Sequence, residues 1–406
     1  MARYSPGNVN RMNHTSDGAE EKCALREVSA NNFDAVRFVA AVTVVYSHCF
    51  PLLLWQGDGL DPLAKITNNE FTLGTVAVDV FFAVSGFLIV MSWERSSSAV
   101  SYLLKRMARI VPGYVCAVLI GLFVITPIFA ASGQAWFSFP IARRCAKAML
   151  QLKPVEVGGV FPLNPYPGIV NGSMWTISYE FKCYLGVLIL GLIGGFRRRW
   201  CAWVLFLGSL GLCALHLFAK PHEFIEQNWP AIRLASFFAA GAIFYLNRDR
   251  IPRRPWFAVL SLVAVAGSLR VLPATLHLVL PTFGAYLLFW SVFQPYVTAH
   301  NFAKYGDFSY GIYLYAFPIQ QALIATYSGV FSPMGVFLVA APLSILAGMV
   351  SWHVVERHFL RKRGGRRLVA PPAAFPAVPT DNCQSTTNAG GELPNAPPQR
   401  TRDPAE

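Results

Sequence analysis

Apolar runs of about 20 residues recur through the middle of the chain, divided by short polar stretches with glycine, proline and clustered cations. An α-helix needs roughly 20 such residues to cross a bilayer. Ten spans are predicted: 33–54, 73–93, 110–131, 172–193, 200–218, 229–246, 256–272, 276–294, 308–327 and 334–355. A longer connection, 132–171, ends in PLNPYPG. Within it, 141–152 has the pattern of an amphipathic helix for the membrane surface. The prediction is an all-α, polytopic integral membrane protein with about ten transmembrane helices. A polar arm over 1–32, without the apolar segment of a signal peptide, precedes the transmembrane domain over 33–356. A basic tail over 357–406 follows, disordered from about 368, where Pro, Ala and Thr dominate.

Cations place the loops. They cluster in the arm, after the second, fourth and sixth spans, and after the tenth. Those are alternate loops, so both termini are expected in the cytoplasm. Arg143, Arg144, Lys147 and Lys153 go against this pattern, in the long connection assigned outside. Composition agrees with a membrane protein: 54% hydrophobic and 14% charged, against about 25% charged in soluble domains. The net charge of +13 follows the loops and is no nucleic-acid signal. The eight cysteines have no metal-like spacing; neither disulfide nor metal is expected.

Ionisable groups inside spans are costly and point to sites. The first span carries Arg37 and His48, eleven residues apart. That is about three helical turns, so both share one helix face, roughly 16 Å apart. Asp79 and Glu180 each lie about two turns into a span, which places them near the level of His48. Arg37, Arg106 and Arg109 gather at the other surface. Arg106 and Arg109 share a helix face and suit a phosphate clamp, since guanidinium binds phosphate bidentately. Taken singly, Arg37 reads as a snorkelling anchor and the other two arginines as topology charges. Asp79 alone reads as a packing acceptor and Ser85–Gly86 as a site of close helix approach. His216, His222, His277, His300, His353 and His358 fall near span ends or in loops and show no pattern.

Six segments in order carry a resemblance: Arg37 with His48, GTVAVDVFFAVSGFLI at 74–89, YLLKRMARIVPGY at 102–114, MWTISYEFKCYL at 174–185, FSYGIYLYAFPI at 308–319 and SWHVVERHFLRK at 351–362. Together the chain resembles the acyltransferase-3 family of membrane O-acyltransferases, which modify surface polysaccharides, exopolysaccharides and Nod factors. The resemblance implies about ten spans, acetyl-CoA as donor and a bacterial inner-membrane location. It makes His48 the catalytic histidine, with Asp79 or Glu180 orienting it. It places Arg37, Arg106 and Arg109 at the donor, and Ser85, Trp175 and Tyr184 in matching motifs near substrate. Many members have a histidine where this chain has Ala316. The expected reaction moves an acyl group, most simply acetyl, from cytoplasmic acyl-CoA to a hydroxyl of a glycan acceptor, possibly lipid-linked. The alternative class is a transporter or flippase of a lipid-linked sugar, with the buried charges as a proton path.

Overall fold

The structure, a computed structural model, describes residues 32–54, 59–131, 138–197, 199–219, 222–294, 299, 304, 306–327 and 329–361. Nearly all of the arm and tail therefore lie outside the described residues. What is described is helical, apart from two isolated bridges in the long connection. The main helices are α1 (Phe33–Leu53), α2 (Leu73–Glu94), α3 (Ala99–Phe129), α4 (Phe139–Gln151), α5 (Trp175–Leu192), α6 (Trp200–Phe218), α7 (Trp229–Leu246), α8 (Pro255–Val271), α9 (Pro273–Val292), α10 (Ser309–Thr326) and α11 (Pro333–Leu360).

Seven of these, α1, α2, α3, α6, α7, α9 and α11, are long and apolar enough to cross a membrane. The expected ten is thus not reached by length and composition alone. Helix α8 is apolar but shorter. Helix α5 carries Glu180 and Lys182, and α10 carries Gln320 and Gln321 beside three tyrosines.

Two boundaries differ from expectation for physical reasons. Helix α3 begins at Ala99, not at 110, because Ser98 caps it by accepting from the Ser101 amide at 3.1 Å. Arg106 and Arg109 therefore sit on a helix rather than in a loop. The connection before α5 is also not a surface loop. Val157, Val160, Phe161, Asn164 and Asn171 are buried. Asn171 Nδ2 donates to the Leu314 carbonyl at 2.7 Å, and Asn164 Nδ2 donates to the Gln321 carbonyl at 2.9 Å. Gln321 Nε2 donates back to the Tyr166 carbonyl at 2.8 Å. Non-helical backbone at this depth is tolerated only where protein groups satisfy it. The result is that α5 starts against the middle of α10. The amphipathic helix is found as α4, with Arg143, Arg144 and Lys147 exposed and Cys145 buried.

The centre of the bundle is the α2–α7 pair. Gly86 lies so close to α7 that a Cβ there would meet the Phe238 carbonyl oxygen at 1.9 Å. Gly241 stands in the reciprocal position, where a Cβ would meet the Ala83 carbonyl oxygen at 1.9 Å. Small residues let backbones approach in this way when no hydrophobic force drives helices together in lipid. The helix ends then sort into two groups. At one end Tyr245 donates to Glu94 at 2.6 Å, Asn32 donates to the Val292 carbonyl at 2.9 Å, and Arg37 and Arg109 meet Asp307. We call this the arginine end. At the opposite, histidine end, Asp61 accepts from the amides of Ala64 at 2.9 Å and Leu73 at 2.7 Å, which fixes the entry to α2.

Gly86→Val is expected to destabilise the bundle by at least the ~1–3 kcal/mol of an overpacked core. Gly208→Ala, which faces open space, should stay within about 0.5 kcal/mol of the parent. Thermal unfolding in detergent separates the two; equal melting of parent and Gly86→Val would contradict the close approach.

Candidate active site

Two cavities enter the bundle from opposite ends and share the side chains of Val78 and Tyr313 as walls. The arginine-end cavity, about 140 Å³, is lined by Arg37, Arg106, Arg109, Ser85, Glu180 and Tyr184, among others. The histidine-end cavity, about 210 Å³, is lined by His48, Ser47, Asp61, Thr75, Trp175 and Arg233, among others. Tyr313 is held in place: its hydroxyl donates to the Ser173 carbonyl at 2.5 Å and lies 2.7 Å from the Thr176 hydroxyl. Arg37 and His48, from one face of α1, thus open into different cavities, as their spacing along the helix requires.

At the arginine end the expected three-arginine clamp is divided. Arg37 and Arg109 both form short ion pairs with one oxygen of Asp307. Arg109 also reaches Glu356 at 3.6 Å and lies over the rings of Tyr310 and Trp352. Burial by itself would raise the Asp307 carboxyl; the Arg109 and Arg37 charges, with the Ser309 hydroxyl, outweigh it and hold the group below the usual carboxylate range. Arg106 differs. Among the described residues it has no ion pair, and its buried Nε has no hydrogen-bond partner.

Glu180 faces this cavity and not His48, contrary to the depth expected from span ends. Because α5 starts inside the bundle, its first turns fall lower than a helix entering from the surface. Glu180 Oε1 accepts from Ser85 at 3.0 Å and from the Tyr184 hydroxyl at 2.5 Å. Ser85 and Tyr184 therefore belong with Glu180, whereas Trp175 lines the other cavity.

At the histidine end, His48 packs edge-on against Phe317, with ring centroids 5.6 Å apart. Its Nδ1 is buried without a hydrogen-bond partner among the described residues. Asp79 does not orient it. Asp79 is 1% exposed and is bound by Arg233, with contacts of 2.9 and 3.0 Å. A buried charge without a partner is strongly unfavourable, so each member of this pair explains the other. Arg233, the lone cation of α7, and Asp307 are the site residues that pattern reading missed. The first stands in the second turn of an apolar span, and a buried cation there is itself the signal for an intramembrane site. Asp307 lies in a loop and gave no such signal. Among the described residues no group of three or more His, Cys, Asp or Glu could hold a metal.

A multi-pass helical bundle with a cationic cavity at one end and a histidine cavity at the other defines a membrane-embedded enzyme of group transfer. The chain belongs to the acyltransferase-3 family: the family's acyltransferase domain matches residues 31–353. It is an acyltransferase. It is 30% identical over 340 residues to an O-acetyl transferase of Shigella phage Sf6, a match covering 82% of this chain and 97% of the relative. It is 26% identical over 361 residues to Nodulation protein 10 of Rhizobium leguminosarum bv. viciae, covering 82% and 94%. A third relative, the exopolysaccharide production protein ExoZ of Rhizobium meliloti (strain 1021), is 30% identical over 122 residues, 30% of this chain and 35% of its own. No solved structure matches the chain.

Asp307→Asn removes the shared partner of two part-buried arginines. The expected loss is on the order of 2–3 kcal/mol, read as a lower melting temperature in detergent. A depressed folded pKa stabilises above the unfolded value of about 3.9 and is lost only as pH falls through the folded one. The difference between parent and variant should therefore be constant from pH 8 to pH 5.

Proposed function

We propose that the enzyme moves an acyl group, most simply acetyl, from acyl-CoA at the arginine end to a glycan hydroxyl at the histidine end. The observation that carries this reading is the pair of end-on cavities meeting at Val78 and Tyr313, with an unpaired arginine on one side and His48 on the other. Arg106 holds a phosphate of the donor. The extended donor arm passes beside Tyr313 toward His48, a distance comparable to the roughly 16 Å between Arg37 and His48 along α1.

The His48 imidazole takes the proton of the acceptor hydroxyl as its oxygen attacks the thioester carbonyl, in the role of general base. The carbon–sulfur bond breaks, and the imidazolium returns the proton to the departing thiolate. The products are an O-acyl glycan and free CoA thiol. Arg233, paired with Asp79, stands at the edge of the His48 cavity as a fixed wall. Ser85, Glu180 and Tyr184 line the path of the donor arm, and Trp175 the acceptor.

The arginine end faces the cytoplasm, where acyl-CoA is made, and α5, α8 and α10 cross the membrane with the other seven, giving ten spans and cytoplasmic termini in a bacterial inner membrane. The relatives named for nodulation and exopolysaccharide production support a surface glycan as acceptor. A flippase for a lipid-linked sugar needs a continuous passage wide enough for a headgroup, whereas a tyrosine fixed by two hydrogen bonds stands between these cavities.

His48→Ala should abolish O-acylation of the host's surface glycan, lost as 42 Da per acetyl (C2H2O), while the protein still inserts and melts normally. Retention of the 42 Da adduct by that variant would overturn the mechanism. Arg106→Ala should raise the donor KM by about 10-fold or more, the loss of one charge-assisted contact worth ~1.5–3 kcal/mol, with the acceptor KM unchanged.

A further inference from the structure

A third cavity opens at the histidine end, between α2, α6, α7 and α9. It is the roomiest of the three, about 470 Å³, within the roughly 300–1,000 Å³ of small-molecule sites. It adjoins the His48 cavity, because Thr75, Trp175 and Arg233 line both. Its own walls are aromatic. His216 stacks on Trp229 at 4.0 Å between centroids, and His277 meets Trp229 edge-on at 4.8 Å. Its edges are polar: Glu70 Oε2 lies 3.6 Å from His277 Nε2. Two nitrogens are left over, since the buried Nδ1 atoms of His216 and His277 have no hydrogen-bond partner among the described residues.

This combination selects one ligand chemistry. A pyranose ring has apolar C–H faces and a polar rim. Flat aromatic groups cover the faces, and charged or imidazole groups at the edge take the hydroxyls. The cavity's cation is already neutralised, because Arg233 is paired with Asp79. It therefore carries no free positive charge for an acidic sugar or a phosphate.

We propose that this cavity is an acceptor subsite that holds the neutral pyranose ring adjoining the one acylated at His48. The proposal rests on the reading of the enzyme as a glycan acyltransferase. Acceptor choice is then set by Trp229, His216, His277 and Glu70, away from the reacting atoms, and the shared wall of Trp175 and Arg233 fixes the distance from the bound ring to the acylated hydroxyl.

The test uses the full-length protein in detergent with neutral di- to tetrasaccharides of glucose, galactose, mannose and rhamnose as probes. Binding is read by saturation-transfer NMR and transfer by mass analysis with acetyl-CoA. At least one probe should bind the parent and His48→Ala alike. Trp229→Ala should lose that binding and raise the acceptor KM at least 10-fold without changing the donor KM, and Trp229→Phe should restore most of it. Glu70→Gln, at the exposed rim, changes no packed ring and should weaken the same probe several-fold. Undiminished binding in Trp229→Ala and Glu70→Gln would overturn the subsite and leave the acyltransferase reading standing. Failure of every probe to bind the parent or to accept acetyl would overturn both.

Discussion

Asp307 is the fastening on which the arginine end depends. One carboxylate, just ahead of α10, takes Arg37 from α1 and Arg109 from α3. Arg109 then extends the contact to Glu356, where α11 passes through a π turn that Ser351 helps to hold. Four helices distant in sequence are joined by charges that could not remain in an apolar bundle alone. The clasp also decides what the arginines can do. Those engaged by Asp307 are tied to the fold, and Arg106, one turn away from Arg109 on the same helix, has no ion pair among the described residues, which is why the proposed function gives it the donor.

The helices were legible because bilayer thickness imposes a length on every span, and the ranges over 200–218 and 229–246 match α6 and α7 residue for residue. The pairing of charges was less legible. Asp79 was visible as a buried carboxylate, but its partner lies 154 positions away on another helix, and helical periodicity says nothing about which spans become neighbours. Glu180 was misplaced for a related reason. Its depth was reckoned from the start of a span, and that start is set by Asn171 and Asn164 docking onto α10, not by a membrane surface. Close approach at Gly86 was readable, since a small residue beside a serine in an apolar run has few other uses. The four rings and side chains of the third cavity come from separate span ends and loops, where histidines carry no pattern.

The two ends obey one rule. At each, an acid and an arginine cancel: Asp307 against Arg37 and Arg109, Asp79 against Arg233. Of the arginines and histidines that line the two cavities, Arg106 and His48 have no such partner among the described residues, and these are the ones the proposed chemistry uses. Pairing therefore removes from consideration charges that depth alone would nominate.

The wall between the cavities fits the same logic. In the proposed reaction an acyl group moves from one end of the bundle to the other, and water and ions must not follow it. Val78 closes the path with an apolar surface, and Tyr313 closes it with a ring whose hydroxyl is satisfied by Thr176 and Ser173. For that proposed reaction the donor arm is thin and flexible enough to pass beside Tyr313 and bring its thioester carbonyl to a hydroxyl held at His48. A barrier one side chain thick meets both demands, and the same hydrogen bonds that fix Tyr313 anchor the first turn of α5. In the proposed reaction the buried connection before α5 matters to catalysis, because it places the start of that helix at the boundary between the two cavities.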